Sequence, residues 1–437
     1  MPLPIYIAAG TAAVPAVPGA TVCIRTYGCS HNVSDSEHMA GILAAQGYTL
    51  TDNPEDADLL LVNSCSVKGP SQESLFSTVR KHKGQRHVVV AGCVPQADPN
   101  NRELEGISVL GVQGIGSVAD AVARTLTGET VQMLGKEVVP ALDLPKRRRN
   151  RFVEIIPINL GCLGSCTYCK TQHARGRLRS YAPQDIVARA QRAIAEGVTE
   201  LWLTSEDSGA YGRDIGTDLP TLLEMVVRVL PQDVMLRLGM ANPPYILEHL
   251  DRIAAILNHP NVYSFLHVPV QSGSDAVLAA MRREYTVEEF ERVVAHMRKQ
   301  VPGITLATDV ICGFPTETED DFKQTLDLVS RNSFPVVNIS QFYPRPGTAA
   351  ARMKLLPTQE VKRRSTALTR IFKEQRPYDS LVGTRQRVWI VEEDDGQLVG
   401  RTKGYVQVFL PYDESLRGTS VEVMIISAGK YHIKGVL

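Results

Sequence analysis

Three cysteines lie close together near the middle of the chain, and their type and spacing could hold a reactive metal centre. They are Cys162, Cys166 and Cys169, in the spacing C-x3-C-x2-C, with no fourth cysteine nearby. Three thiolates can bind three irons of a [4Fe–4S] cluster and leave the fourth iron open. An open coordination position distinguishes reactive metal centres from structural ones. The alternatives are three buried thiols or a zinc knuckle, although the sequence has no second ligand pair at zinc-site spacing.

Three more cysteines could form a second site of the same kind. Cys29, Cys65 and Cys93 each follow a predicted strand, in IRTYGC, LLLVNSC and VVVAGC. Strands and helices alternate through this region, which predicts a parallel sheet flanked by helices. Because ligand sites lie outside the carboxyl ends of such strands, we expect the three thiols at one edge of the sheet. The alternative is that they are core cysteines, which is our interpretation of the isolated Cys23 and Cys312.

The triple-cysteine loop requires a strand that delivers it. The buried run Val153–Leu160 (VEIIPINL) predicts one, and five more strands with helices between them follow. Six strand–helix units favour a partial (βα)6 barrel, whose chemistry would lie on the loops at the carboxyl ends of the strands. The loop after the second strand contains Glu206 and could bind an amine or ribose hydroxyls. The alternative there is a simple strand-to-helix turn. The later predicted strands are Glu200–Thr204, Val234–Leu238, Val262–Val268, Ile304–Ile311 and Val336–Phe342.

Positive charge is concentrated in two places, although the whole chain is balanced at 47 basic and 47 acidic residues. The first cluster consists of Lys146, Arg147, Arg148 and Arg149. This segment is either a solvated linker or a site that binds a phosphate of a nucleic-acid backbone. The second runs from Arg345 to about residue 387 and includes a predicted helix with Lys362, Arg363 and Arg364. Such a lopsided segment is typical of a nucleic-acid footprint, and a solvated helix is the alternative. Short alternating strands then predict a small antiparallel barrel, a fold that commonly binds nucleic-acid strands.

Composition narrows the class of protein. The chain has 437 residues, of which 43% are hydrophobic and 22% charged, as in ordinary globular proteins. Its eight cysteines are irregularly spaced, which suits metal binding in a reducing compartment better than a disulfide framework. No run of 18 apolar residues occurs, so we expect no transmembrane segment and a cytoplasmic location.

These observations predict an α/β protein of several parts. An N-terminal parallel-sheet domain precedes the partial barrel, and the small β-barrel ends the chain. The expected divisions are a disordered tail over 1–20 with a possible short strand in it, an N-terminal domain over 21–145, a barrel domain over 152–350, a basic helical connector over 351–382, and the small barrel over 383–437.

Nine stretches together resemble the methylthiotransferase family of radical S-adenosylmethionine (SAM) enzymes. The resemblance covers about residues 21–437 and is closest to the eukaryotic and archaeal branch that modifies N6-threonylcarbamoyladenosine in tRNA. CSHNVSDSE and TSEDSGAYGRDIG indicate that branch. The stretches are YGCSHNVSDSE, NSCSVK, AGCVPQ, LGCLGSCTYCKTQHARG, TSEDSGAYGRDIG, RLGMANPPYILEHL, HVPVQSGSD, DVICGFPTET and QFYPRPGT.

The resemblance implies a function, cofactors and partners. Cys162, Cys166 and Cys169 would hold a radical SAM [4Fe–4S] cluster, whose open iron would bind SAM. Reduction would split this SAM to a 5′-deoxyadenosyl radical, which would remove hydrogen from C2 of the modified adenosine. The dispersed cysteines would hold a second [4Fe–4S] cluster that delivers a methylated sulfur, and a further SAM would supply the methyl group. Tyr168 and Glu206 would contact SAM, and the last segment would be a TRAM-like tRNA-binding barrel. The partners implied are the tRNA anticodon loop and an external electron donor of the flavodoxin, ferredoxin or reductase type.

Two alternatives remain open from the sequence. The same chemistry could act on isopentenyl-adenosine tRNA or on a ribosomal protein. A protein of another class, an iron–sulfur redox sensor that binds RNA without catalysis, would also use cysteines and basic segments. However, an electron carrier does not need an open iron, so three-cysteine sites argue against it.

Overall fold

The computed structural model describes residues 17, 19–66, 69–135 and 139–437. The predicted disordered tail, with its possible short strand, therefore lies outside the described residues except for positions 17, 19 and 20. The chain forms two compact units. The first comprises Met1–Arg149, Leu160–Cys162 and Lys170–Arg179, and the second comprises Asn150–Asn159, Leu163–Cys169 and Ser180–Leu437. No helix in the described part of the chain combines the length and the hydropathy of a membrane-spanning segment.

The first unit is built on a six-stranded parallel sheet in the order β2-β1-β3-β4-β5-β6. Its central strands read LLLVNS and HVVVAG and are buried on both faces, as expected for parallel strands covered by helices. One apolar cluster packs on each face of the sheet. The elements are β1 Thr21–Thr26, α1 Ser30–Ala45, β2 Thr49–Thr51, β3 Leu59–Ser64, α2 Gly69–His82, β4 His87–Gly92, α3 Cys93–Ala97, β5 Ser108–Gly111, α4 Val118–Leu126 and β6 Gln132–Met133.

Helix α1 begins earlier than the sequence predicts. The sequence predicts a helix over residues 34–46 with Ser34 as its cap, but the helix begins at Ser30 and Cys29 is its N-cap residue. The backbone of Cys29 is extended, and its carbonyl accepts a hydrogen bond from Val33 N at 3.1 Å. The first turn is therefore built from SHNV, which carries buried side chains that contact the site described below.

The second unit contains the partial barrel. Two three-stranded parallel sheets, β11-β10-β7 and β12-β13-β14, are connected by a bridge between Leu236 and Val262. This arrangement confirms the predicted six-strand barrel. The elements from here are β7 Val153–Pro157, β8 Asn159–Leu160, α5 Thr171–Arg175, β9 Arg179–Ser180, α6 Pro183–Ala195, β10 Glu200–Thr204, α7 Leu219–Val227, β11 Met235–Leu238, α8 Leu250–Leu257, β12 Phe265–His267, α9 Asp275–Ala280, α10 Val287–Gln300, β13 Thr305–Cys312, α11 Glu319–Asn332 and β14 Val336–Gln341.

The C-terminal strands close into a small barrel in the order β15-β16-β17-β19-β18. All neighbours are antiparallel except β17 and β19, which pair in parallel. Helix α12, Thr358–Glu374, precedes the barrel and matches the predicted basic helix. The strands are β15 Arg385–Asp394, β16 Gln397–Thr402, β17 Gln407–Pro411, β18 Ser420–Ala428 and β19 His432–Val436.

A hairpin of the small barrel is fixed to the end of α8. The ammonium group of Lys403 donates to the carbonyl oxygens of Leu257 at 3.0 Å, His259 at 2.8 Å and Val262. Beside it, the Tyr405 ring packs on Tyr263 with a centroid distance of 4.7 Å. Burial lowers the pKa of Lys403 to about 8. One side chain thus satisfies three carbonyls where a helix ends, a place that favours a cation.

We expect Lys403→Met to destabilise the second unit by about 2–4 kcal/mol, because buried carbonyls that lose their donor keep the full cost of desolvation. Urea unfolding of the two proteins measures this difference. The control is Lys434→Met, since Lys434 is exposed on β19. Equal midpoints for both variants would mean that Lys403 does not anchor the hairpin.

Candidate functional site

The three dispersed cysteines do gather at one edge of the first unit. Cys29 follows β1, Cys65 follows β3 and Cys93 follows β4, and these three strands are neighbours in the sheet. Cys65 and Cys93 are buried, whereas Cys29 is exposed. The sheet topology therefore brings together thiols that are far apart in sequence, as parallel strands do at their carboxyl ends.

Asn32, which the sequence analysis did not single out, connects several residues at this edge of the sheet through its side chain. Its amide nitrogen donates to the carbonyls of Tyr27 and Ser64, both at 2.8 Å. With the nitrogen fixed in this way, its Oδ1 atom faces the sulfur atoms of Cys29 at 3.9 Å and Cys93 at 3.8 Å. Two of the three thiols therefore contact one fully buried oxygen. Its spacing of one helical turn from Cys29 becomes a signal only when the helix is known to begin at Ser30.

Two glycines allow the strands to approach this closely. Gly28 has φ +112°, and a Cβ atom there would lie 2.5 Å from Cβ and 2.8 Å from Sγ of Cys65. Gly92 has φ +93°, and its Cβ would lie 2.3 Å from the side-chain oxygen of Asn63. Both positions combine a backbone conformation that favours glycine with a close contact that excludes a side chain.

We expect Gly28→Ala to lower the iron content of the reconstituted protein, because the new methyl group would occupy the space beside the Cys65 sulfur, where the second cluster implied by the resemblance would bind. Iron analysis of the reconstituted protein should show loss of about one four-iron cluster. The matched control is Gly128→Ala, which has a similar φ of +92° but nothing within 4 Å of its Cβ. If both variants kept the same iron content, the close approach of Gly28 to Cys65 would not be needed for iron binding.

The surroundings of the three thiols fit an anionic iron–sulfur cluster. Cys29 precedes α1 and Cys93 opens α3, so the amino ends of these helices meet the site and favour negative charge.

Cys162 is held within the first unit by the segment that follows the cysteine loop. Its backbone nitrogen donates to the carbonyl of Gly176 at 3.2 Å, and its carbonyl accepts from Gln172 Nε2 at 3.0 Å. The segment containing α5 is itself fixed, because Lys170 Nζ donates to the carbonyl of Ala97 at 3.0 Å. Ala174 of α5 also packs against Cys93.

Residues 163–169 belong to the second unit, where the loop is pinned by its backbone. Thr167 donates from its nitrogen to the carbonyl of Met281 and from its hydroxyl to that of Ala280, both at 3.0 Å. The carbonyl of Thr167 accepts from Ala350 N at 2.9 Å. Cys169 N donates to the Cys166 carbonyl at 3.2 Å, so two of the three cysteines share one tight turn.

Arg283 supports the thiol of Cys166 and was missed by the sequence reasoning. Its Nη1 lies 3.2 Å from Cys166 Sγ, and Nη2 donates to the side-chain oxygen of Asn242. Asn242 in turn donates to Asp207 through its backbone nitrogen at 3.0 Å and its side chain at 2.6 Å. Burial raises the pKa of the Asp207 carboxyl. A guanidinium held at this sulfur suits a thiolate ligand, and 117 residues separate the partners, so no local pattern could predict them.

The two residues expected to contact SAM lie on the same unit as Cys166. Tyr168 packs against an apolar group that includes Met281 and Phe314, and burial raises the pKa of its hydroxyl well above 10. Glu206 follows β10 and is half-buried, while its neighbour Asp207 is committed to the internal hydrogen bonds above. The acidic loop is therefore partly a structural turn and partly a candidate ligand site.

Two of the predicted tRNA-binding cations are internal. Lys146 has a side chain that is 2% exposed, and its Nζ lies 3.2 Å from Glu37. Arg364 has a side chain that is 4% exposed and donates to Glu317 and Glu360, both at 2.7 Å. Both cations are held by carboxylates in the interior, so neither side chain presents its charge to a tRNA phosphate.

The other basic positions are more accessible. Arg147, Arg149, Lys362 and Arg363 are exposed, whereas Arg148 and Arg345 are half-buried. Arg363 also pairs with Glu319 and Glu360. On α12, one shallow depression is lined by Lys362, Arg363 and Arg370, and a second is lined by Arg370, Lys373 and Arg376.

The remaining two cysteines are buried in the core. Cys23 lies on β1 inside an apolar cluster, and Cys312 ends β13 with no exposed surface. Burial raises the pKa of the Cys312 thiol to about 12, so this thiol stays protonated. Both positions agree with the structural roles expected from the sequence.

Comparison with known proteins identifies both units. Residues 21–110 match the model of the family described as Uncharacterized protein family UPF0004, and residues 156–329 match the Radical SAM superfamily. Among solved structures, a radical S-adenosylmethionine methyltransferase from Kitasatospora setae, with cobalamin and a [4Fe–4S] cluster bound, aligns with a TM-score of 0.54. The alignment covers 76% of this chain and 77% of that one at 16% identity, which indicates a shared fold and nothing more.

Curated relatives are much more similar in sequence. The chain is 52% identical over 430 residues to the threonylcarbamoyladenosine tRNA methylthiotransferase of Xenopus laevis, covering 96% of this chain and 77% of that protein. It is 37% identical over 425 residues to the probable enzyme of that name from Pyrococcus horikoshii, covering 95% and 98% of the two chains. The chain therefore belongs to the threonylcarbamoyladenosine tRNA methylthiotransferase family of radical SAM enzymes.

Proposed function

We propose that this protein is the tRNA-modifying enzyme that methylthiolates C2 of N6-threonylcarbamoyladenosine, next to the anticodon, to give 2-methylthio-N6-threonylcarbamoyladenosine. The observation that carries the proposal is the gathering of Cys29, Cys65 and Cys93 at one sheet edge, in a chain that also has the C-x3-C-x2-C motif of Cys162, Cys166 and Cys169. A radical generator alone needs only the second set. A separate three-thiolate site is what a sulfur donor would require.

In this proposal each set of cysteines holds one [4Fe–4S] cluster, so the protein has two. The radical SAM cluster supplies, when reduced with SAM bound, a radical strong enough to remove the unactivated C2 hydrogen of adenine, which no acid–base group could do. Arg283 stabilises the ligand sulfur of Cys166, and Tyr168 and Glu206 bind SAM. Asn32 lies against the sulfur atoms of Cys29 and Cys93, and the glycine at position 28 leaves room for that of Cys65.

The tRNA would lie on the exposed cations. The accessible members of the predicted set are Arg147, Arg149, Lys362 and Arg363, whereas Arg148 and Arg345 are half-buried. Arg370 and Lys373 support this proposal, because both are exposed and follow Lys362 on α12 at about two and three helical turns, which is the same face of the helix. Phosphate contacts of this type supply most of the affinity without reading sequence.

We expect Lys362→Ala with Arg370→Ala to weaken tRNA binding about equally for all tRNAs and to lower the salt slope by about 1 for each lost phosphate contact. Filter binding across a salt series measures both quantities. Lys299→Ala is the control, because Lys299 is exposed at the end of α10 and lines neither depression on α12. An unchanged slope in the double variant would remove α12 from the tRNA surface.

Other readings of the site are less well supported. Relatives at this level of identity carry the threonylcarbamoyladenosine name, which argues against isopentenyl-adenosine tRNA or a ribosomal protein as the substrate. A redox sensor without catalysis would not need the Cys162 motif together with a second cluster. The external electron donor of the flavodoxin, ferredoxin or reductase type and the cytoplasmic location stay predictions from the sequence.

The test in cells is nucleoside mass analysis of tRNA from a strain that lacks the gene. We expect 2-methylthio-N6-threonylcarbamoyladenosine to disappear and its precursor to accumulate. The wild-type gene should restore the product, and a Cys65→Ala copy should not. Persistence of the product in a strain without any paralogue would refute the assignment.

A further inference from the structure

Arg175 lies in the interior of the first unit, in contact with the auxiliary thiol site. Its side chain is 1% exposed, and its Nη2 atom donates to Asn32 Oδ1 and to Asp35 Oδ2, each at 2.7 Å. The oxygen it contacts on Asn32 is the one that faces the sulfur atoms of Cys29 and Cys93. A buried positive charge is therefore separated from the sulfur atoms of Cys29 and Cys93 by a single side chain, that of Asn32.

The position of Arg175 in the chain gives this contact a second consequence. Arg175 is the last residue of α5, and the residues around it hold Cys162 through Gln172 Nε2 and the Gly176 carbonyl. Cys162 also bridges to Arg177 in strand fashion. One five-residue helix thus connects a ligand of the radical site to the support of the auxiliary site, entirely within the first unit.

We propose that Arg175 is a positioning residue shared by the two cluster sites. On the auxiliary side, it draws the Asn32 oxygen into a charge-assisted hydrogen bond. That bond reduces the repulsion between this oxygen and ionised sulfur ligands. On the radical side, it fixes α5 and thereby the backbone of Cys162. The inference rests on the proposed function, because it assumes that both sets of cysteines bind clusters.

The two sites can be tested separately in the full-length chain. A Cys162→Ala/Cys166→Ala/Cys169→Ala parent retains only the auxiliary ligands, and a Cys29→Ala/Cys65→Ala/Cys93→Ala parent retains only the radical ligands. Into each parent we would place Arg175→Met together with Asp35→Asn. The paired change removes both charges, so neither is left buried without its partner, which alone would threaten folding.

The readout is the rate at which each reconstituted parent loses iron to a chelator, followed with the visible spectrum of the cluster. We expect the paired change to speed iron loss about 10-fold in both parents, the range known for outer-shell partners of metal ligands. The matched control is Arg80→Met with Glu73→Gln, a surface ion pair at 2.9 Å in the same unit, which should change neither rate.

A second pair of variants separates an electrostatic role from a merely structural one. In the auxiliary-only parent, Asp35→Asn removes a negative charge and should move the cluster to a more positive reduction potential. Arg175→Gln removes a positive charge and should move it to a more negative one. A change that only loosened the packing around the cluster would not shift its reduction potential in opposite directions in the two variants. If a paired or a single variant fails to fold, Arg175→Lys, which keeps the charge but replaces the planar guanidinium, takes its place in the iron-loss measurement.

The outcomes are distinct. Faster iron loss in both parents, with potential shifts of opposite sign, supports the shared role. Faster loss in one parent only, in neither parent, or shifts of the same sign overturn it, while the proposed function stands. If the parents themselves bind no iron, the failure lies with the proposed cluster ligands.

Discussion

Cys162→Ala is expected to abolish reductive cleavage of SAM. The radical cluster would lose one of its three thiolate ligands. The cleavage rate should therefore fall by more than the roughly 10–100-fold that follows loss of a residue that only supports a ligand. The reconstituted variant should retain about four irons instead of about eight, because the auxiliary site is intact. Formation of 5′-deoxyadenosine under a strong reductant, measured by liquid chromatography, gives the rate.

The control for this variant lies in the same loop. Ser165 is exposed between Cys162 and Cys166, and Ser165→Ala should keep both the iron content and SAM cleavage. Cys162 is only half-buried, so its replacement should leave the fold intact. Reductive cleavage at the wild-type rate in Cys162→Ala would refute the radical assignment of this motif.

Cys65→Ala should separate the two halves of the reaction. The radical site keeps all its ligands, so SAM cleavage should continue at a rate within a few-fold of wild type. The methylthio product should fall by more than about 100-fold, because the sulfur-delivering site has lost a ligand. Iron should again fall to about four per chain. Paired assays of 5′-deoxyadenosine and methylthiolated nucleoside measure both effects in one sample.

The control here is another buried cysteine of the same sheet. Cys23 lies on β1 away from the carboxyl edge, and Cys23→Ala should keep both activities despite a small loss of stability. Product formation by Cys65→Ala at the wild-type level would mean that sulfur reaches the substrate without the dispersed site.

The arrangement of the cysteines could be predicted from the sequence because it depends on topology. Parallel strands place their carboxyl ends at one edge, so Cys29, Cys65 and Cys93 had to meet once the strands were recognised. The partial barrel and the small closing barrel followed from the spacing of strands and turns in the same way. The start of α1 could not be predicted in this way, because Cys29 takes the cap position and Ser34 is buried within the helix.

The supporting residues could not be predicted, because their partners are distant and their burial decides their role. Arg175 contacts Asn32 across 143 residues, and Arg283 contacts Cys166 across 117. Lys146 and Arg364 belong to basic runs that suggest a nucleic-acid surface, yet Glu37 and Glu317 hold them in the interior. Charge clustering in sequence does not distinguish an exposed cation from one that a carboxylate has drawn inside.

The most direct test of the central claim uses the holoenzyme with SAM, a reductant and two tRNAs. The tRNAs differ only in whether the adenosine next to the anticodon carries the threonylcarbamoyl group, and that adenosine is deuterated at C2. We expect the methylthio product only from the modified tRNA, with the deuterium recovered in 5′-deoxyadenosine. Product from the unmodified tRNA, or product from the modified tRNA formed with no transfer of deuterium to 5′-deoxyadenosine, would contradict the assignment.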